Sequence, residues 1–492
     1  MRMRAPGERF AWIAVALIAF VPVLASAAHH RAFPRLVSGE AFAAFACAGA
    51  AARAGADPYA SEPLGTCEAR LHVIPPNVVE PAPLPPPTLG VFALLSLLPY
   101  PLASAVWGAL LVASVAAAAV GSCALAPRVP AVAVWTALLP GLLVFDGYYG
   151  ETPALVAAAL VLGAWALRRG SIAGAAAGVT IAALFEPHVG AAAWLALFAG
   201  ERRARAPLAA VLALLVLGTW VAPGHGELVR YLTVVLPAHA RSELPANDQY
   251  SLTSLLFAFG VPAGAALAAG ALSYALALAA GIALGPAVAR RLGAPEFAVL
   301  LPAGFVLLGG TFIHGLQMGL AVPLGVVVAN ATPGPRRALA LVTMLVGALP
   351  EPATGIVVLG FGAAAAFAAA WGAAAVADSA GGRVLRALAC GAAGACAYAG
   401  FAALVHAAGR SAASAALPAF PVPAPHELAE IPWTTYVSAV SHPPTAGEFL
   451  ARGTVWTMLL ATFALAASAR RAVPTGDSNT PFAGRPVPGG PR

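Results

Sequence analysis

The chain has 492 residues, 60% of them hydrophobic and only 10% charged, against about 25% charged in an ordinary soluble domain. Its 27 basic residues are all arginine and its acidic residues number 20, a formal charge of +7 at a mean hydropathy of +0.83. No water-soluble fold hides this much apolar surface, and no basic patch is dense enough to neutralise a nucleic-acid backbone. A soluble enzyme, a nucleic-acid binder and a disordered chain are therefore excluded, which leaves a polytopic membrane protein.

A helix needs about 20 residues to cross a bilayer, fewer if it is distorted. In chain order, apolar segments of this class run at about 11–28, 104–126, 130–146, 152–167, 207–223, 262–285, 296–310, 316–330, 338–350, 353–377, 385–407 and 453–469. Between 170 and 200 a longer apolar stretch is broken by Glu186-Pro187-His188, which predicts two short helices, 171–185 and 188–200, entering and leaving on one side. The expectation is an all-α, polytopic helical bundle of about 12–14 transmembrane or re-entrant helices with a long first extracytoplasmic loop. The first segment starts Arg-rich and ends near Ala-Ser-Ala-Ala, as a cleaved signal peptide does; a retained helix is preferred because it keeps the helix count even. The chain divides into a first transmembrane helix (1–28), the first outer loop with an interfacial helix (29–103) and a core transmembrane module (104–330). C-terminal helices with an outer loop at 408–452 (331–471) and a disordered cytoplasmic tail (472–492) complete it.

Arginine placement orients this chain. With the N-terminus cytoplasmic, 19 of 27 arginines fall in short inner loops and termini, as the positive-inside rule requires. Fifteen of the 20 acidic residues and all ten histidines then fall on the outer side. Long outer loops explain part of that bias; an extracytoplasmic active site explains the rest. The inner side carries no domain and no nucleotide-binding loop, so neither an ATP-driven pump nor a nucleotide, metal or other cofactor is expected. No Cys/His group has metal-site spacing. Cys123, Cys390 and Cys396 read as small hydrophobes, whereas Cys47 and Cys67 share the first outer loop, where an oxidising compartment would allow a bridge.

In that loop Ser38-Gly39-Glu40-Ala41-Phe42 opens a helix over 40–54, with Ser38 near its N-cap, Gly55 at its stop, and an Ala-rich character suited to a membrane surface. Gly55-Ala56-Asp57-Pro58-Tyr59 follows, then a Pro-rich run beginning Ile74-Pro75-Pro76, then Leu98-Pro99 and a helix start carrying Ala103 and Trp107. Farther along stand Gly147-Tyr148-Tyr149-Gly150-Glu151, Arg169-Gly170 through Phe185-Glu186-Pro187, and Asn247-Asp248-Gln249-Tyr250-Ser251. In order and spacing these motifs, over about residues 35–330, resemble glycosyltransferase family 87, the C-type integral-membrane enzymes that include polyprenyl-phosphate-mannose-dependent mannosyltransferases. Three positions depart from the family pattern. Glu40, followed by Ala41, stands where the family has Asp before Phe; Glu151 stands for its Gln and Glu186 for its Lys.

The resemblance implies transfer of a sugar, mannose first, from a polyprenyl-phosphate donor to a lipid or glycan acceptor on the outer side of the bacterial inner membrane, with inversion. Such chemistry needs a carboxylate as general base and donors for the leaving phosphate, and it needs no nucleotide. Glu40 is the candidate base; its competing reading is a first-turn acid that offsets the helix dipole. Asp57, Tyr59, Glu151, Glu186, His314 and Arg53 are the candidate substrate-binding residues. Asp57 before Pro58 also reads as a turn residue, Glu151 and Glu186 as acids that reach outer water, and His314 as a satisfied turn histidine. For the phosphate, Arg31, Arg35, Arg53, Arg70, Arg230 and Arg241 are available on the outer side. Two other classes stand beside the enzyme: a catalytically inactive relative that binds lipid or a partner, and a lipid or solute transporter or flippase. The second should show an inverted repeat and midplane charges, and the chain shows no internal repeat.

Overall fold

The computed structural model describes residues 39–72, 75–138, 142, 149–221, 227–246, 249–332, 337, 340, 419–441, 456 and 459–469. The predicted segments at 11–28, 353–377 and 385–407, all of 338–350 but Ala340, and the C-terminal tail lie outside the described residues. Those residues are helical throughout, without a strand and with only two isolated backbone bridges, Ala60 with Leu428 and Gln249 with His314.

The first loop folds into α1 (Glu40–Arg53), α2 (Ser61–Leu71) and α3 (Pro86–Leu95). Helix α1 starts where predicted, but its N-cap is Gly39 and no side chain caps it. It stops as predicted: Ala54 is the C-cap and Gly55, at φ 72°, turns the chain away. Its setting differs from a helix open on a membrane face. Ten of its 14 residues are buried, because its small alanines let α3 and the Phe42, Phe45, Phe92 and Trp107 rings close in on several sides. A disulfide joins Cys47 to Cys67 and staples α1 to α2.

The bundle follows as α4 (Tyr100–Leu125), α5 (Ala131–Leu138), α6 (Pro153–Arg168), α7 (Ile172–Phe185), α8 (Pro187–Gly200) and α9 (Arg205–Val221). Prolines open α4, α6 and α8 in the first turn, where a missing N–H costs nothing. Helix α7 packs on both α6 and α8, the hairpins read from the sequence. The second turn is tight: at Gly190 a methyl group would run into the backbone of Ala182 and Ala183. Next come α10 (Glu227–Arg230), a π-helical turn (Tyr231–Val235), α11 (Leu236–Ser242) and α12 (Leu252–Ala258). Helix α13 (Ala263–Leu292) outruns its predicted end: it passes through Pro286 and stops at Gly293 in the left-handed conformation. The series closes with α14 (Phe297–Phe305), a 3-10 segment (Gly315–Ala321), α15 (Val322–Ala331), α16 (Glu430–Val440) and the apolar helix Leu459–Ser468.

Two of these helices, α4 and α13, are long and apolar enough to cross a membrane, and shorter apolar helices surround them. Both carry outward apolar faces, with Leu102, Val112 and Val120 on α4 and Leu272 and Leu276 on α13 half exposed or more. Such patches call for a nonaqueous partner.

The helix ends fall into two groups. At one, Arg168 in the last turn of α6 donates to the Leu125 carbonyl that ends α4 and pairs with Glu296 at 3.5 Å, beside α14. Arg291, in the last turn of α13, reaches the Ala466 carbonyl at 2.9 Å. The opposite ends of α4, α6, α7 and α8 meet the first loop, and there the acids and histidines gather.

Candidate active site

A cavity of about 710 Å³ opens at that end. Among the described residues its lining includes five glutamates (Glu40, Glu80, Glu151, Glu186 and Glu243), three histidines (His188, His239 and His314) and no arginine. Apolar and aromatic side chains, among them Phe45, Leu84, Tyr274 and Phe312, form much of the remaining wall.

Glu40 and Glu151 reach the cavity through an interlock of two glycine-containing turns. Gly150 stands at φ 76°, and a methyl group on it would collide with Phe42 Cβ; one on Gly39 would strike the Tyr149 carbonyl. The Trp107 indole N–H donates to the Gly150 carbonyl at 2.8 Å, and its ring stacks on Phe42 at 5.9 Å. Glu40 is an exposed first-turn acid, and its charge is one of several that act on Glu80.

Glu186 occupies the break between α7 and α8 and is 7% exposed. Its Oε1 accepts from Thr152 Oγ1 at 2.7 Å and its Oε2 from Gln317 Nε2 at 2.9 Å, while His188 Nδ1 lies 3.6 Å from Oε2. Burial pushes its pKa up to about 7; the Thr152 and Gln317 hydrogen bonds and His314 restrain that rise, and Glu151 adds to it. Burial likewise holds Glu80 well above the carboxylate range, with Glu68, Glu40, Glu151 and Glu243 adding repulsion.

The opposite wall comes from α11 and the 3-10 segment. His239 and Glu243 lie four residues apart at the end of α11, one above the other on a helical face. Pro237, in the first turn of α11, lacks the N–H that a regular ladder would use, and the preceding turn is wound as a π-helix. His314 heads the 3-10 segment, where its backbone N–H donates to Gln317 Oε1 at 3.0 Å. Glu243 accepts from the Trp433 indole through Oε1 at 2.7 Å and stands 3.8 Å from His314 Nε2 through Oε2. Gln249 is oriented by the Ile313 N–H, which donates to its Oε1 at 2.8 Å, so its Nε2 faces Glu243 and His314. Burial, with His314 nearby, pushes the His239 pKa down to about 3 and keeps that ring neutral.

Trp433 arrives from 419–441, a segment that closes over the first loop. Ser61 N–H donates to the Glu427 carbonyl at 2.8 Å, Ala429 N–H to that of Tyr59 at 3.0 Å, and Asn77 Nδ2 to that of Phe420 at 3.1 Å. Glu430, buried on α16, has its pKa pushed up to about 7 by burial.

Of the residues singled out from sequence, Glu40, Glu151, Glu186 and His314 meet in this cavity. Asp57, Tyr59 and Arg53 stand outside its lining. Asp57 accepts the Tyr59 N–H at 3.0 Å, a turn contact, and pairs with Arg230 at 2.6 Å. Tyr59 is buried, with its hydroxyl donating to the Leu84 carbonyl at 2.8 Å and its ring 6.1 Å from Tyr231. Arg53 donates to Ser96 Oγ at 3.1 Å. The arginines considered for a phosphate fare similarly: Arg53, Arg70, Arg230 and Arg241 do not line the cavity, and Arg31 and Arg35 lie outside the described residues. Sequence reasoning did not single out Glu80, His188, His239, Glu243 or Trp433. The one local signal was the His239–Glu243 spacing of four, which has little specificity until His314 is placed beside it.

Compared with known proteins, the family model described as Glycosyltransferase family 87 matches residues 84–309. That span holds Glu151, Glu186, His188, His239 and Glu243; it begins after Glu40 and ends before His314. Neither a curated protein nor a solved structure matches the chain.

Proposed function

Starting from the match of residues 84–309 to the model of glycosyltransferase family 87, we propose that the chain is a polytopic membrane enzyme of that family that moves a sugar, mannose first, from a polyprenyl-phosphate donor to a lipid or glycan acceptor. The observation that carries this reading is the cavity itself: part apolar, part carboxylate and imidazole, at the helix ends opposite the arginines. An apolar wall suits a prenyl chain, and convergent polar groups suit a sugar. In the reaction the acceptor hydroxyl oxygen attacks the anomeric carbon from the face opposite the phosphate. The bond from that carbon to the phosphate oxygen breaks with its electron pair leaving on the phosphate. Glu40 takes the hydroxyl proton, and the anomeric configuration inverts. Glu151, Glu186 and His314 bind the substrates around that centre, with Asp57, Tyr59 and Arg53 bracing the loop that presents Glu40.

The topology that goes with this reading is a bundle of about 12–14 membrane segments in a bacterial inner membrane. Both termini are cytoplasmic, the cavity is extracytoplasmic, and the five sequence regions set out above are its parts. Two features support it. The arginine-tipped ends match the positive-inside bias. The Cys47–Cys67 bridge belongs in an oxidising compartment.

A second reading has an observation of its own. Five glutamates without an arginine in the described lining are an inhospitable place for a lipid phosphate, as in a relative that binds lipid or a partner without transfer. Incubating the purified chain in detergent with labelled polyprenyl-phosphate-mannose and a membrane lipid extract separates the two. The enzyme reading expects labelled product, reduced by about 10²-fold or more in Glu40→Gln, the loss expected for a general base. Transfer that survives Glu40→Gln removes Glu40 from the mechanism. Donor binding without product in the unaltered chain replaces the enzyme by the binding relative.

A further inference from the structure

We propose that His239, Glu243 and His314 form a binding site for a divalent transition-metal ion, zinc first, with an open coordination position facing the cavity. One nitrogen from each imidazole and one carboxylate oxygen lie within 4.8 Å of one another. Zinc held at about 2.0–2.1 Å by tetrahedral ligands needs them about 3.4 Å apart, so side-chain adjustments of an ångström or so close the site. Two imidazoles and a carboxylate are the donor set of open zinc sites, which keep the fourth position for water or substrate.

A second observation points to a missing ligand. His239 is 6% exposed, and its Nδ1 is buried with no hydrogen-bond partner among the described residues. Leaving such a nitrogen unpaired is unfavourable, and an ion bound through it would relieve that. The surroundings are also those of a metal site. Glu243 keeps one oxygen toward His314 while the Trp433 indole holds the other, the kind of outer hydrogen bond that orients a ligating carboxylate. Gln249, fixed by the Ile313 N–H, borders both Glu243 and His314. The rival arrangement is a hydrogen-bonded network of Gln249, Glu243 and His314 with no ion; it leaves His239 Nδ1 unsatisfied.

The ion would also answer the electrostatic difficulty of the cavity. If the cavity takes a phosphate-linked donor, a step that rests on the function proposed above, the metal supplies the positive charge that the described lining lacks.

The test uses the full chain in detergent, stripped with EDTA and dialysed against Zn2+, then counted by elemental analysis. The same protein loaded with Co2+ is read by visible absorption, which reports tetrahedral coordination. The expected result is one equivalent of zinc and a tetrahedral cobalt spectrum, both lost in His239→Ala and in Glu243→Gln. Trp433→Phe, which removes the indole hydrogen bond to Glu243 and keeps an aromatic ring, should weaken affinity by about 10–100-fold. No stoichiometric uptake by the unaltered chain overturns the proposal even if every variant misfolds, and so does uptake unchanged in folded His239→Ala. The two proposals fail separately. Sugar transfer by a chain that takes up no stoichiometric zinc sinks the metal site and leaves the glycosyltransferase standing. Stoichiometric zinc without any transfer does the reverse.

Discussion

The two ends of the helix bundle use charge in opposite ways. At the arginine end, Arg168 and Arg291 sit in the last turns of their helices and donate to terminal carbonyls of neighbouring ones. Cations belong at helix C-termini on dipole grounds alone, so this arrangement needs no functional explanation. At the cavity end, Glu80, Glu186 and Glu243 are buried or nearly so without an arginine in the described lining, and the pKa values of the first two are driven up. That arrangement costs stability. Perturbed carboxylates gathered in a cleft are the pattern expected where binding or catalysis, not folding, decides the residues. The comparison predicts that changes at the cavity end alter chemistry, and changes at the arginine end alter stability only.

The largest effect should come from Trp107, which holds the Gly150 turn in place and packs against Phe42, Phe92 and Phe185. Trp107→Ala should cost about 3–5 kcal/mol and abolish sugar transfer, read as a lower unfolding midpoint and no labelled product. Normal transfer would mean that the Glu40–Glu151 interlock is not needed. The Cys47–Cys67 bridge comes next. It closes a loop 20 residues apart in sequence, worth about 3 kcal/mol on the chain-entropy view. Reductant should lower the midpoint of the unaltered chain and leave that of Cys47→Ala/Cys67→Ala unmoved.

How much of this was legible in the sequence differs between the two ends. The helices at 172–185 and 187–200 could be read to within a residue or so, because Pro187 and an apolar run punctuated by Glu186 leave few alternatives. The family motifs brought Glu40, Glu151, Glu186 and His314 to attention, and they meet. Glu80 stands inside the Pro-rich run that begins at Ile74, where no spacing marks it. Glu243 gains its meaning from Trp433, 190 positions away, and His239 from His314. No periodicity encodes such pairs, since they depend on how 419–441 folds back over the first loop. The burial of helix α1 was illegible for a related reason: alanine is mildly apolar on a membrane face and equally the residue that admits close neighbours.

At the arginine end, Arg168→Ala removes the donor to Leu125 and leaves Glu296, 4% exposed, without its ion pair. The expected loss is about 1–3 kcal/mol of stability, with KM and kcat for the donor unchanged. A changed KM would mean that the two ends are coupled and would break the comparison.

A pH-dependent effect sharpens the claim that the acid end is held against its own electrostatics. Glu68, on α2, is 1% exposed; its Oε2 accepts the Glu80 N–H at 3.1 Å and its Oε1 has no hydrogen-bond partner among the described residues. Burial pushes its pKa from 4.5 up to about 8, against the pull of the Glu80 N–H. Between those values the folded chain holds a proton that the unfolded chain has released, so stability falls as pH rises through that window. It is greatest below about pH 4.5 and has levelled off above about pH 8. Each pKa unit is worth about 1.4 kcal/mol. Glu68→Gln mimics the protonated acid and should flatten the window, so the variant unfolds at a higher temperature than the unaltered chain at pH 8 and at about the same temperature at pH 5. An equal pH dependence in both would mean that Glu68 is ionised in the fold, with water or a cation reaching it.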